Sequence, residues 1–412
     1  MSKKLSLILG FGVSGFAKII NNASLILCIV LLSKVLGFNT AELGIANYLI
    51  LITAFISGLG GFGFGEAFGK FARSNTNAIL PTIKKNIFLT GCFLVFVLII
   101  DLFFNWLKFG TIWEYILFIG LIFSLLYALL VNIFLGLDQK LRFSIYQIMH
   151  TVILLFCLYF FGISKILSVS ILLLLSLFIS FIVPVVIMLL DLFLQKKFEN
   201  SLLCIPTNIT NFAKNNLVFL ILLMIIIQTD SLFLVNLSSD GMYQNGIYKS
   251  LGQIGKISTS LGVFASTPLI PIFASLFESK DIPRLKNIYI WSNAILLFIL
   301  AILVGIVSIS HNSIVKTLFN NIEIQNHSFL LPILTAFFGL SGILYITYYF
   351  WQMLGRVDIV WKVVMFQVIF YVIGMFFVVQ QGLVAMSIFL LILQILAIFF
   401  WYIYFYFESK NL

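Results

Sequence analysis

The sequence predicts an all-α polytopic membrane protein of about twelve transmembrane helices, in two six-helix lobes related by a pseudo-two-fold axis along the membrane normal. Three observations lead there. Of 412 residues, 62% are hydrophobic, 9% are charged and 46 are Phe, which leaves too little polar surface for an ordinary soluble globule. The apolar runs reach about twenty residues, the length a spanning helix needs, whereas membrane barrels alternate over segments of about ten. Two motifs also recur about half a chain apart. Leu80-Pro81-Thr82-Ile83-Lys84-Lys85 is echoed by Ile282-Pro283-Arg284-Leu285-Lys286-Asn287, and Leu135-Gly136 by Leu354-Gly355. Such echoes mark parallel repeats with the working site between them.

In chain order the spans fall near 9–35, 43–66, 86–104, 112–135, 145–162, 168–192, 215–237, 244–277, 288–309, 328–353, 359–379 and 383–406. The last two separate at Gln380-Gln381-Gly382. Residues 1–195 form the N-terminal six-helix lobe and 196–214, with Pro206, a cytoplasmic linker. Residues 215–354 hold helices seven to ten, and 355–412 helices eleven and twelve with a cytoplasmic C-terminus. Each proline motif is expected in a cytoplasmic loop before the third helix of its half. Ser2-Lys3-Lys4 leads into a segment carrying Lys18, so no cleavable signal is expected and the first helix stays. Cys28, Cys92, Cys157 and Cys204 are scattered without paired or metal-type spacing and read as packing residues.

Charge sets the orientation. With the N-terminus inside, its side collects Lys3, Lys4, Lys70, Arg73, Lys84, Lys85, Lys140, Arg142, Lys196, Lys197 and others, while the opposite side holds only Lys34, Lys108, Lys165 and Lys316. Both termini are therefore expected in the cytoplasm. The net charge of +10 is mostly this topological signal plus attraction to anionic headgroups. It argues for no nucleic-acid partner, because no connecting segment is long enough for a soluble basic domain.

The stretch from 213 to 276 puts ionisable groups where lipid would reject them. Gln228 and Asp230 lie in the seventh span, and Asn245, Lys249, Gln253, Lys256 and Ser260 recur in the eighth at steps that share one helix face. A mid-bilayer charge costs about 2.5 to 3.5 kcal/mol on insertion scales, so such residues face a bundle interior or a watered cavity. In the first span, Ser14, Lys18, Asn21 and Asn22 make a second polar stripe. Alternatives stay open for each cation: Lys18 snorkels to the interface or faces the cavity, and Lys256 pairs with Asp230 or meets a ligand. Asp230 is either an ion-pair partner or a coupling site for Na⁺ or a proton.

Weaker candidates surround these. Glu66 ends Gly60-Gly61-Phe62-Gly63-Phe64-Gly65-Glu66, which lacks the strand and Gly-Lys-Ser/Thr of a phosphate loop and reads as close packing or a hinge. His150 can titrate near neutral pH or serve as a satisfied interhelical donor. Tyr345, Tyr348, Tyr349, Trp351 and Gln352 make an aromatic face suited to an interface belt or a sugar platform. No catalytic triad, metal cluster or nucleotide motif is present, so transport is expected rather than enzymatic chemistry.

Gly37-Phe38-Asn39-Thr40-Ala41-Glu42-Leu43-Gly44 with Asn47, Gln228-Thr229-Asp230-Ser231-Leu232-Phe233-Leu234, Gly246-Ile247-Tyr248-Lys249 and Thr267-Pro268-Leu269-Ile270-Pro271-Ile272-Phe273 resemble the polysaccharide-transporter family. Within the multidrug, oligosaccharidyl-lipid and polysaccharide exporter superfamily, length and cationic stripes look most like Wzx-type O-antigen flippases. The resemblance implies two lobes around a cavity that opens alternately to each side, in the bacterial inner membrane. It also implies an undecaprenyl-pyrophosphate-linked oligosaccharide as cargo, with membrane lipids and other polysaccharide-assembly proteins as partners and no cofactor beyond a coupling Na⁺ or H⁺. That family commonly carries Arg after the Asp of helix seven; here Ser231 follows Asp230, leaving Asp230 free to pair with Lys249 or Lys256.

Physics and resemblance meet at the substrate. A lipid pyrophosphate crossing a low-dielectric slab needs cations to offset its lost hydration, the role expected of Lys18, Lys249 and Lys256. Asn21, Asn22, Gln228 and Gln253 are expected to face the glycan. A drug or cation antiporter of the same superfamily is the competing transport reading, although carboxylates would be expected to line its cavity. A membrane-embedded polysaccharide polymerase is the competing enzyme. It would expose a sizeable outer loop, and the longest expected here is about Ser310 to His327.

Topology is directly testable. Cysteines placed at Asn75 and Asp281 should be protected from an impermeant thiol reagent in intact cells, and those at Lys108 and Asn320 labelled. Labelling at Asn75 without labelling at Asn320 would overturn the orientation.

Overall fold

A backbone amide in hydrocarbon has no water to bond, so a spanning segment satisfies its N–H and C=O groups by winding into a helix. The computed structural model describes residues 20, 23–60, 62–71, 75–104, 109–197, 205–354 and 356–408, and every regular element among them is helical. In order they are α1 (Ala23–Val35), α2 (Thr40–Gly60), α3 (Phe64–Phe71), α4 (Ile79–Phe104), α5 (Ile112–Gly120), α6 (Ile122–Gly136), α7 (Lys140–Gly162), α8 (Val169–Leu194) and α9 (Thr207–Gln228). There follow α10 (Asp230–Leu237), α11 (Gly241–Gly255), α12 (Thr259–Glu278), α13 (Ile282–Leu318), α14 (Ile322–Asn326), α15 (Leu330–Met353), α16 (Val357–Val378) and α17 (Leu383–Glu408). Among the described residues, nine helices are long and apolar enough to cross a membrane. With the shorter α1 and α2 and the broken α11–α12, the chain has the about twelve helices in two lobes expected of it.

The ends follow local chemistry. Glu114 in the first turn of α5 accepts from the backbone N–H groups of Gly110 at 2.7 Å and Thr111 at 2.8 Å, capping donors that a helix start leaves open. Asp281 caps α13 by accepting from the Arg284 amide. The sixteenth and seventeenth helices part at Gly382, whose φ of +97° suits a residue without a Cβ. Both proline motifs sit in the first turn of a helix, α4 and α13, rather than in the expected loops. Proline is accepted there because its missing N–H is one the helix leaves unpaired anyway.

Three other expectations are corrected. The seventh span begins at Thr207 instead of 215 and breaks at Thr229. The eighth is interrupted by a 3₁₀ turn at Lys256–Ser258. The outer loop expected over 310–327 is largely helix, since α13 runs to Leu318 and α14 follows. Ser310 and Thr317 donate to the carbonyls of Ile306 and Ser313, so these polar residues fold back onto the helix and do not end it.

Packing sorts the chain into two compact units, one built chiefly from Tyr48–Met224 and the other from Leu25–Asn47 with Ile225–Leu412. In the first, α7 lies along α8, and Tyr146 donates to Asp191 at 2.6 Å while Arg142 pairs with the same carboxylate at 3.3 Å. In the glycine run before Glu66, close packing, one of its two expected roles, is seen at Gly63. Gly63, at φ +73°, turns the chain between α2 and α3, and a Cβ on it would stand 2.0 Å from the Ala213 carbonyl oxygen. Cys28 and Cys157 are buried free thiols, whereas Cys92 is exposed; Cys204 lies outside the described residues.

The second unit is organised on α15. Ser258 donates to the Thr335 carbonyl at 2.8 Å and Thr259 to that of Phe338 at 3.0 Å, so hydroxyls join the broken eighth span to its neighbour. Beyond them a Cβ on Gly262 would lie 2.0 Å from the Gly342 carbonyl oxygen, the close backbone approach that small residues permit between membrane helices. At the aromatic end of α15, Tyr348 and Trp351 are buried, with Trp351 packed on Trp401 and Tyr404 of α17, while Tyr345 and Tyr349 are half-buried and the Gln352 side chain lies outside the described set.

Overpacking this crossing should cost stability. Gly262→Ala is expected to lose about 1 to 3 kcal/mol, whereas Gly305→Ala, with no heavy atom within 4 Å of its added Cβ, should stay within about 0.5 kcal/mol. Thermal unfolding of the detergent-solubilised chain, followed by tryptophan fluorescence, checks both; equal melting points would refute the tight crossing.

Candidate functional site

The break between α9 and α10 places the acid. Thr229 leaves the helix and folds its hydroxyl back to the Ile225 carbonyl at 2.5 Å, so Asp230 opens α10 with its Oδ1 accepting from the Ser231 amide at 2.8 Å. A carboxylate at a helix start meets open amides and the positive end of the helix dipole. On α11, Tyr248 and Lys249 face it: the Tyr248 hydroxyl donates to Oδ2 at 2.9 Å and the Lys249 ammonium to Oδ1 at 2.6 Å. Both charged side chains are 2% exposed. Tyr371 of α16 closes the cluster, its hydroxyl 3.3 Å from Thr229 Oγ1.

This geometry answers one open alternative: the partner of Asp230 is Lys249. Two charges removed from water hold each other's desolvation penalty down only with short contacts and further hydrogen bonds, and Asp230 has both. Its second acceptor is claimed by Tyr248, leaving no oxygen of this carboxylate without a donor. Around the pair, α2 is tied to α11 by Asn245 Nδ2 donating to the Gly44 carbonyl at 2.9 Å and by Asn47 Nδ2 lying 3.4 Å from Ser250 Oγ.

Lys256 stands apart. It opens the 3₁₀ turn between α11 and α12, is half-buried, and sets its ammonium over the Phe338 ring, 5.6 Å from the centroid. Among the described residues no carboxylate lies within salt-bridge distance of it. The aromatic face offers a weak attraction, much less than a counter-ion. Of the expected stripe, Asn245, Lys249 and Gln253 are buried, while Lys256 and Ser260 are half-buried where the turn rotates them.

For most other candidates the side chains are not described. Lys18, Asn21 and Asn22 lie outside the described residues. Gln228 ends α9 and Glu66 sits in α3, their side chains also outside the described set. His150 is not a satisfied interhelical donor: it is buried and neither ring nitrogen has a hydrogen-bond partner. Tyr371 and Thr229 went unassigned in the sequence, since a tyrosine within an aromatic-rich span and a threonine beside an acid carry no spacing signal.

No protein-family model matches this chain and no curated protein matches its sequence. Solved structures do. An inward-facing multidrug resistance MATE family transporter of the MOP superfamily aligns over 96% of this chain and 96% of its own, with a TM-score of 0.73 at 13% identity. Another, outward-facing, aligns over 98% of this chain and 96% of its own, with a TM-score of 0.73 at 12% identity. A MOP superfamily transporter from Pyrococcus furiosus, whose binding pocket is described as of reverse polarity suggesting a different function, aligns over 97% and 96%, with a TM-score of 0.71 at 13% identity. The chain has the fold of these transporters.

The buried pair should behave as a unit. Asp230→Asn or Lys249→Met alone leaves an uncompensated charge and is expected to cost about 3 to 5 kcal/mol, while the double variant recovers most of it. Unfolding of all four proteins in one detergent gives the coupling; strictly additive losses would show that the two groups do not interact.

Proposed function

We propose that this chain is a membrane transporter that flips an anionic lipid-linked oligosaccharide from the inner to the outer leaflet of a bacterial cytoplasmic membrane by alternating access. The fold supports transport. The observation that carries the cargo's sign is Lys256, half-buried at the break between α11 and α12 with no carboxylate within salt-bridge distance among the described residues. A phosphate or pyrophosphate group supplies the missing negative charge, and an ammonium in a dehydrated site binds it strongly. The resemblance of the seventh and eighth spans to polysaccharide transporters narrows the cargo to an undecaprenyl-pyrophosphate-linked repeat unit, with Gln253 and the polar stripe of the first span toward the glycan.

Drug export is the competing reading, because two of the similar folds are described as multidrug resistance transporters. A cationic drug would need an available carboxylate. Asp230, the acid in this interior cluster, already holds Lys249, Tyr248 and the Ser231 amide. A third neighbour's binding pocket is described as of reverse polarity, suggesting a different function, which supports reading the cargo from the side chains apart from the fold. Asp230 accordingly acts as the structural partner of Lys249 in this reading, which leaves Lys18 and Lys256 to meet the pyrophosphate.

The Lys256 series tests the proposal. Lys256→Ala and Lys256→Glu should both fold, with flipping lowered about 10- to 100-fold in the first, the value of one charge-assisted hydrogen bond, and further in the second. Lys256→Arg should keep much of the activity. Surface glycan display, together with lipid-linked intermediate accumulating in the inner leaflet, is the readout. Wild-type display by Lys256→Glu, at equal protein level, would remove the anionic cargo from consideration.

A further inference from the structure

The first unit holds a cluster that the proposed cargo site does not use. Gln147, His150 and Thr151 lie on one face of α7, at positions i, i+3 and i+4. Gln147 Oε1, both ring nitrogens of His150 and Thr151 Oγ1 are buried without a hydrogen-bond partner. His150 is 7% exposed and Thr151 3%. The imidazole lies against Tyr127 of α6, ring centroids 5.0 Å apart, and against Phe181 of α8, at 4.4 Å. One turn after Phe181, Pro184 lies inside the continuous α8 and deprives the Ser180 carbonyl of its helical donor.

Each buried polar group left unpaired costs about 1 to 3 kcal/mol. A leucine or phenylalanine at 150 would fill the same aromatic slot without that penalty. Polar atoms grouped this way fit a buried water, which needs two to four polar partners, and an imidazole that can gain a second N–H. We infer that this face of α7 is a proton-binding site, in which His150 takes a proton onto its free ring nitrogen and donates the new N–H to a buried water that in turn donates to Gln147 Oε1 and Thr151 Oγ1. The proton comes from the aqueous phase and no other bond changes.

The surrounding charges leave His150 to this role. On α6 the titratable group facing it is Tyr127, and α8 carries Asp191, already engaged by Tyr146 and Arg142. On α7 itself, Tyr146 is bonded to that same Asp191, Lys140 pairs with Asp138, and Cys157 lies two turns beyond on the same face. The unclaimed acceptors on this face are what an added N–H meets. The inference is independent of the cargo: it gives this unit a proton-dependent state whatever is carried.

Ring-¹⁵N-histidine labelling of the full chain in lipid nanodiscs tests it. The chain has three histidines, so His311→Gln with His327→Gln leaves His150 as the sole reporter even where His150 variants do not fold. Between about pH 8 and pH 4, its signals should convert reversibly from neutral imidazole to imidazolium. Thr151→Val combined with Gln147→Leu removes acceptors of the charged form and should move the midpoint down by about one pH unit, tenfold in proton affinity. Gln147→Glu should move it up. A His150 that stays neutral throughout, or a midpoint unmoved by these changes, would make it a packing residue and overturn the site.

Discussion

A charge kept out of water has to be met by another charge, and the buried Asp230–Lys249 pair is the constraint on which the second unit depends. Its geometry demands that α9 stop at Thr229, that the carboxylate sit at the head of α10, and that α11 present Tyr248 and Lys249 together. A continuous seventh helix would bury the carboxylate in mid-helix, with no open amide to bond it. The helix break is therefore tied to the ion pair, and the pair in turn fixes the rotation of α11 that brings Asn245 to the Gly44 carbonyl.

That rotation continues into the 3₁₀ turn. Ser258 and Thr259 bond to α15 carbonyls on one side, and Gly255 and Gly262 bring the backbones together on either flank, with hypothetical Cβ contacts of 3.0 and 2.0 Å. Hydroxyl bonds and close backbone approach together replace the hydrophobic drive that lipid cannot supply between membrane helices. The consequence for function is local: Lys256 is carried on the one turn of the eighth span that is not α-helical, and its ammonium reaches an aromatic ring in place of a carboxylate.

The two lysines of this span therefore differ in kind. Lys249 is held by the Asp230 carboxylate at 2.6 Å, whereas the amine of Lys256 lies over the Phe338 ring. In the first unit the comparable feature is uncharged: the polar face around His150 lacks partners rather than a counter-ion.

Much of this protein was legible from composition and periodicity alone. Apolar run lengths require helices in lipid whatever their neighbours, so the all-α class and the order of the spans were determined before any contact was known. The polar stripe from Asn245 to Ser260 was legible too, because helical spacing converts directly into a shared face. Tertiary structure decided what spacing cannot express. Lys249 and Lys256 both lie on that face within two helical turns of each other, and only the break at Thr229 and the turn at Lys256–Ser258 gave Asp230 to Lys249. Likewise Tyr348 and Trp351 of α15 became core because α17 packs over them, and His150 is not the satisfied donor that was one of its two readings because α6 and α8 met it with rings. Sequence sets which groups a helix presents; the approach of other helices sets whether each finds a partner.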